Sequence, residues 1–309
     1  MPEVTVCIPS FRRPKGLAKL LAALGALETR AAIVVVVADN DSERHEASDL
    51  CAETSSKGYR WPLDCVIVPE RGIAQARNAL VERALSAHQG EFIAMLDDDE
   101  WPAPQWLDEF LRIQRQTCAD ALHGGVVRDY ETYPGATIAH CNGMGDWREA
   151  SGPIGMIEST SNVLLRRACL ERMAKPWFDP GFALTGGEDR DFFTRLKKSG
   201  ATFAWADDAL IHADVPATRA TLGWALKRAY RVGNSDMRVF LKYRPPFAAR
   251  GREIAKILGV FALSPLMLVA SAPVASRRGN ALAKVYRAAG KIAALFGRHY
   301  NEYAVTHGS

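Results

Sequence analysis

Three Asp-x-Asp pairs occur in the sequence, Asp39/Asp41, Asp97/Asp99 and Asp189/Asp191. Carboxylates at this spacing can hold a divalent cation or move a proton. Spacing alone is unselective, because 18 aspartates among 309 residues produce about one such pair by chance. Solvated turns and helix N-caps use the same residue type. The run Asp97-Asp98-Asp99-Glu100 differs in context, since it directly follows the apolar Phe92-Ile93-Ala94-Met95-Leu96. Carboxylates this crowded repel one another unless a cation sits among them. Mg²⁺ or Mn²⁺ takes one or two carboxylates and completes its shell with phosphate oxygens and water. A metal–diphosphate site is therefore expected at Asp97 and Asp99. Glu188-Asp189 follows Gly186-Gly187 and opens a helical stretch to about Lys198. An acid there either caps the helix or serves as a general base for an attacking hydroxyl. His212, after Ala209-Leu210-Ile211, is a candidate third metal ligand, although a lone histidine is more often structural.

These groups need elements to position them. Val4–Ile8, Ile33–Ala38, Cys65–Val68 and Phe92–Leu96 are short, apolar and bounded by turn residues, so they read as buried strands. Pro14–Leu27, Glu43–Ser55, Ile73–Ala87 and Pro104–Gln116 have helical spacing, with Pro14 and Pro104 at first-turn positions. This alternation predicts an α/β fold with a mainly parallel sheet covered by helices on both faces. Ligands of such sheets lie beyond the carboxyl ends of the strands. The residues there are Pro9-Ser10-Phe11-Arg12-Arg13, Asp39-Asn40-Asp41-Ser42, Arg71 to Asn78, and Asp97 to Glu100. A Gly-rich region of weak periodicity follows at roughly 129–160.

The net charge of +4 hides a split: residues 1–214 hold 23 Lys/Arg against 32 Asp/Glu, whereas 215–309 hold 16 against 3. The last third should face something anionic. Between Leu222 and Leu241, and again from Leu282, apolar residues recur at steps of three and four beside Lys227, Arg231, Arg238 and Lys242, and Lys284, Arg287, Lys291 and Arg298. These read as basic amphipathic helices of the interfacial type, or else as helices packed on the preceding domain with a solvated basic face. Ile257 to Ser276 carries no charge, contains Pro265 and Pro273, and has basic residues on both flanks. Cationic flanks at both ends favour a monotopic in-plane or re-entrant segment on an anionic membrane surface over a single span. Six scattered cysteines with no Cys-x-x-Cys pair are expected to be free thiols of a reducing compartment. Met1-Pro2-Glu3 leads straight into a strand with no basic leader or cleavage site, so a cytosol-facing protein is expected.

The ordered set Pro9–Arg13, Asp39–Ser42, Gly72–Asn78, Leu96–Glu100, Gly187-Glu188-Asp189 and Ile211-His212 resembles the family 2 glycosyltransferases of GT-A fold, over nearly the whole chain. Within them it looks most like the bacterial succinoglycan-type exopolysaccharide β-glucosyltransferases. The resemblance implies a catalytic domain at 1–215, with a nucleotide-sugar half to about 100 and an acceptor half from about 101. A membrane-associating helical region would follow at 216–309. Pro9, Ser10 and Phe11 would line a uracil pocket with Asp39 bonding the base, and Arg13, Arg71 or Arg77 would help hold the nucleotide. Asp97 and Asp99 would bind Mg²⁺ or Mn²⁺ with Asp98 towards the ribose, Asp189 would be the catalytic base with Glu188 beside it, and His212 would be a metal ligand. The Gln-x-x-Arg-Trp signature of processive members is missing, so Arg228 and Arg231 become candidates to clamp the diphosphate. The expected reaction is inverting, metal-dependent transfer of one sugar, glucose by resemblance, from a UDP-sugar to a polyprenyl-diphosphate-linked glycan. It would take place at the cytoplasmic face of a bacterial inner membrane. Galactose or N-acetylglucosamine in lipopolysaccharide or capsule assembly is the nearest alternative.

Three other chemistries fit less well. The Asp39-Asn40-Asp41-Ser42 block is similar to the strand end of haloacid-dehalogenase-type phosphatases, but Ser42 stands where Thr or Val is wanted, and Asp97–Asp99 would have no task. A non-catalytic membrane adaptor explains none of the acids. Nucleic-acid binding is not expected, because the aromatics of the basic tail do not interleave as a stacking platform.

Overall fold

The computed structural model describes residues 3–300 apart from residue 142. The first half is strand–helix alternation: β1 (Glu3–Ser10), α1 (Pro14–Gly25), β2 (Ala32–Asp39), α2 (Glu46–Ser56), β3 (Leu63–Ile67), α3 (Ile73–Ala87) and β4 (Phe92–Met95). These strands pair in parallel in the order β3-β2-β1-β4. Their β-branched runs alternate between two buried faces, as a doubly covered sheet requires. Val4, Val6, Ile8, Ile33, Val35 and Val37 join Leu17, Leu20 and Leu24 of α1 on one face. Cys7, Val36 and Ala38 meet Ala74, Leu80 and Val81 of α3 on the other. Cys7, Cys51 and Cys169 are free, buried thiols.

The sheet continues beyond the parallel part. β5 (Glu100–Pro102), α4 (Trp106–Thr117), β6 (Ala121–Tyr130), α5 (Ala136–Ala139), β7 (Gly152–Ile154), β8 (Val163–Arg166), α6 (Arg167–Arg172), α7 (Glu188–Lys198) and β9 (Phe203–Val215) follow in the chain. β8 pairs antiparallel with both β4 and β6, β9 runs parallel to β6, and β5 and β7 add antiparallel to β9. One nine-stranded mixed sheet thus runs from residue 3 to residue 215. Phe192 and Phe193 of α7 fill the face that α3 covers.

Three long helices close the chain: α8 (Leu222–Lys242), α9 (Phe247–Ser271) and α10 (Ala275–Leu295). Small residues let α8 and α10 meet at backbone distance, for a Cβ on Gly233 would lie 1.9 Å from the Arg287 carbonyl oxygen and one on Gly290 1.9 Å from that of Tyr230. Several cations of the basic faces turn to partners inside the fold. Arg238 donates to Thr185 and to the Gly181 carbonyl, and Lys242 donates to Asp179 and Asp191 at 2.7 Å each. Arg287 pairs with Asp236 at 2.6 Å and Lys291 with Glu253 at 2.6 Å. Acids such as Asp191, whose side chain is wholly buried, need cationic partners, and the tail supplies them. α9 is instead the outward helix. Leu258, Leu263, Leu266 and Val269 are 60%, 62%, 69% and 73% exposed, and the helix runs on through Pro265. Among the described residues it is the one helix long and apolar enough to cross a membrane.

Candidate active site

The carboxyl ends of β1 and β4 and the start of α7 open on one cavity of 1520 Å³. Its wall includes Pro9, Ser10, Phe11, Arg13, Arg71, Arg77, Asp97, Asp98, Asp99, Glu188, Asp189, Arg228 and Arg231, so nearly every candidate residue converges. Close backbone approach makes this possible. A Cβ on Gly16 of α1 would stand 2.3 Å from the Asp98 carbonyl oxygen. Gly187, at φ 104°, ends the turn that delivers Glu188 and Asp189 at the first turn of α7.

The two acidic blocks are joined by one side chain. Arg77, only 4% exposed, donates to Glu188 Oε1 at 2.7 Å, to Asp189 Oδ1 at 2.6 Å and to Asp97 Oδ1 at 3.1 Å. Thr160 adds a bond to Asp189 Oδ1 at 2.8 Å. Arg77 therefore holds the acids together on the cavity wall. On the other side, Asp98 accepts from Ser10 Oγ at 2.9 Å and Arg13 at 3.1 Å, and Asp99 accepts from Arg13 at 2.8 Å and Arg219 at 3.4 Å.

Negative charge remains in excess around these bonds. Burial, opposed by Arg13, pushes the Asp98 carboxyl up to about 7. Burial, aided by Asp97 and Asp99, pushes Glu100 up to about 8, and burial with Asp189 lifts Glu188 to about 7. Asp97 is likewise raised, chiefly by burial. Glu188 Oε2 is buried with no hydrogen-bond partner among the described residues. Positive charge is in excess a short way along the wall. Arg228 is pushed down to about 9 by burial and by Arg128, Arg231 and Arg219, with Asp99 opposing. A site with crowded carboxylates at one end and crowded guanidiniums at the other suits a cation beside a diphosphate. The donor set of Asp97 and Asp99 is hard oxygen, as Mg²⁺ or Mn²⁺ prefers. Among the described residues no group of three or more His, Cys, Asp or Glu is placed to hold a metal ion.

Two expected residues lie elsewhere. His212 is not on the cavity wall. Its neighbours Ala213, Asp214 and Val215 do line the cavity. His212 stacks on Trp101 with ring centroids 5.7 Å apart and meets Asp129 Oδ2 at 3.0 Å. Asp39 is also off the wall, with its carboxylate taking the backbone N–H groups of Asp41 at 3.1 Å and Ser48 at 2.9 Å. It holds the β2–α2 connection. Over the Phe11 ring, Arg71 sits at 4.8 Å and Arg12 at 5.0 Å, leaving an aromatic platform at the mouth of β1.

Sequence reasoning missed Arg128, Arg219 and Thr160. Arg128 lies on β6, and Arg219 in the short loop before α8, where no local pattern marked it. The alternation of Val126, Arg128 and Tyr130 along β6 was the available signal.

The model of Glycosyl transferase family 2 matches residues 5–180, more than half of the chain. This protein belongs to glycosyl transferase family 2. The succinoglycan biosynthesis protein ExoM of Rhizobium meliloti (strain 1021) is 33% identical over 310 residues, covering 96% of this chain and 93% of that one. Among solved structures, the mannosyltransferase PcManGT from Pyrobaculum calidifontis, in complex with GDP-Man and Mn²⁺, superposes with a TM-score of 0.64 at 18% identity, over 96% of this chain and 88% of its own. The S. aureus TarS fragment 1-349 in complex with UDP-GlcNAc gives 0.50 at 16% identity, over 97% and 93%. This chain spans 42% of the longer TarS structure. At these identities the likeness establishes a shared GT-A fold, and the family 2 chain carries it with its acids at the expected strand ends.

Proposed function

We propose that the chain moves one sugar from a UDP-sugar to a hydroxyl of a polyprenyl-diphosphate-linked glycan in bacterial exopolysaccharide synthesis, with inversion and with a divalent cation. The observation that carries this reading is Arg77, which draws Asp97, Glu188 and Asp189 into one cavity with the arginines Arg128, Arg219 and Arg228. The name of ExoM supports exopolysaccharide synthesis, and TarS, which holds UDP-GlcNAc, supports a uridine donor. PcManGT holds Mn²⁺ with its nucleotide-sugar, in favour of a divalent metal. Glucose follows from the resemblance alone.

In this reading Phe11 and Arg71 receive the uracil, while Arg228, Arg231 and Arg219 take the diphosphate. Asp97 and Asp99 would hold Mg²⁺ or Mn²⁺, which when bound neutralises charge on the departing UDP as a Lewis acid. The bonds from Arg77 and Thr160 both fall on Oδ1 of Asp189, leaving Oδ2 to take the acceptor hydroxyl proton. The acceptor oxygen then bonds to the anomeric carbon as the bond to UDP breaks, and a single displacement inverts the anomer. The proton ends on Asp189 and the electron pair on UDP. Hydrolysis and transfer assayed over a panel of UDP-sugars, with and without EDTA, test this: activity with one or few UDP-sugars that chelation abolishes is expected, and activity indifferent to EDTA overturns the metal.

Domain 216–309 is proposed to hold the enzyme on the cytoplasmic face of the inner membrane, peripherally or monotopically. The exposed apolar side of α9 supports this, with binding proportional to the buried apolar area. Anionic lipid would add to it through Arg250, Arg252 and Lys256 at the start of the helix.

A further inference from the structure

Arg228 senses Arg128, Arg231, Arg219 and Asp99, the charges around the expected donor diphosphate. The cavity holds a second cationic group that this chemistry does not use. From α10, Arg277, Asn280, Lys284 and Arg287 line the wall at steps of three, four and three, which is one face of a helix. α10 contains five Lys/Arg and no acid. Arg287 is partly neutralised by Asp236. Arg277 and Lys284 are exposed and have no ion-pair partner among the described residues. About 10 Å of helix separates these two, and Lys284 and Arg287 stand about 4.5 Å apart along the axis.

α10 meets the apolar helix along the flank of this stripe, where Lys291 pairs with Glu253 of α9. Ala288, Ile292 and Ala294 pack with Ile257, Val260 and Phe261 of α9. α10 also runs parallel to α8, since Ala229 and Ala283 share a cluster and Gly233 meets Arg287. Its cationic stripe therefore extends along the same cavity as Arg228 and Arg231. The stripe thus lines the cavity next to the helix whose apolar side is exposed.

The geometry points to the Arg277–Lys284–Arg287 stripe as a second phosphate subsite, one that takes the lipid-linked diphosphate of the acceptor while its chain lies against α9. This rests on the proposed transfer to a lipid-diphosphate-linked glycan and names the residues that select it. The chemistry recognised is a phosphate ester on a lipid, and guanidinium and ammonium groups suit it.

The test uses the full chain and the double variant Arg277→Ala, Lys284→Ala, with Arg278→Ala, exposed and off the cavity wall, as control. Two acceptors carry the same glycan, one on a short-chain prenyl diphosphate and one on a neutral alkyl group. The double variant should raise KM for the diphosphate acceptor about 10- to 100-fold, the scale of one or two hydrogen bonds to charged groups. KM for the neutral acceptor, KM for the donor and kcat should stay within about twofold, and Arg278→Ala should match the wild type. Equal KM values for the diphosphate acceptor in wild type and double variant overturn the subsite, and so does a loss of the same size with both acceptors. Weakened binding to anionic vesicles with an unchanged acceptor KM also overturns it, assigning the stripe to bulk headgroups. If the wild type transfers to neither acceptor, the proposed function itself fails. Calorimetry with the prenyl diphosphate then decides the subsite separately, equal affinity in wild type and variant overturning it.

Discussion

Replacing Arg77 by methionine removes the one cation shared by three carboxylates while keeping a side chain of similar length. Glu188, whose side chain is 4% exposed, loses its only described cationic partner, whereas Asp97 and Asp189, at 33% and 22%, retain access to solvent. Breaking a buried pair on one side typically costs about 3–5 kcal/mol, and the better-solvated acids contribute little more, so about 3 kcal/mol is expected at pH 8. The loss has a pH signature. With Arg77 present the Glu188 carboxyl already lies at about 7, above its ordinary value of 4.5, and without Arg77 it rises further. A carboxyl raised in the folded state binds its proton more tightly there than in the unfolded chain, so stability falls as pH rises from about 4.5 through the folded pKa. The penalty should therefore be near full at about pH 8 and shrink to under about 1 kcal/mol near pH 5, where folded Glu188 is neutral. Urea unfolding of wild type, Arg77→Met and Arg77→Lys at both pH values measures it, with the lysine variant recovering part of the loss as a single point charge. A penalty of equal size at both pH values, or one below about 1 kcal/mol at pH 8, refutes the picture of Arg77 as the bond between the acidic blocks.

Other consequences are as direct. Asp189→Asn should leave UDP binding near normal and lower kcat by about 10²–10⁴, so wild-type turnover in that variant removes the assignment of the base. Arg228→Met should raise the melting temperature of the ligand-free enzyme, because a buried cation among cations is removed, yet weaken UDP binding about tenfold or more; an unchanged Kd by calorimetry contradicts the clamp. Asp98, Glu100 and Glu188 all titrate above their ordinary range, so the ligand-free melting temperature should fall between about pH 5.5 and 8, and Mn²⁺ with UDP should reduce that fall; a rise over this range speaks against a surplus of buried negative charge. Leu258→Glu with Leu266→Glu should release the protein from vesicles in a flotation assay, and full retention would place the membrane contact elsewhere.

The parallel half of the fold was readable because its strands and helices have clean periods. Ile73–Ala87 was placed to the residue, and the other elements to within a few. The strands β5 to β8 were not, since β5, β7 and β8 are only three or four residues long and take their pairing from distant partners rather than from any local pattern. The acids of the site were legible as strand-end clusters. Their partners were not, because Arg77, Arg219 and Thr160 act through contacts 20 to 120 residues apart in the chain. His212 and Asp39 stand at the expected strand ends but lie off the cavity wall. One stacks on Trp101 and meets Asp129, and the other accepts two backbone amides. The basic tail shows that charge count does not give direction, since its cations satisfy buried acids and line the cavity while α9 keeps the apolar exposure.

The measurement that bears most directly on a metal-bridged diphosphate site is UDP binding by calorimetry, with Mn²⁺ and with EDTA, for the wild type and for Asp97→Asn with Asp99→Asn. Wild-type affinity should fall at least tenfold on chelation, and the double variant should bind UDP weakly and equally in both conditions. Equal wild-type affinity with and without the metal, or a double variant that still responds to Mn²⁺ as the wild type does, would contradict it.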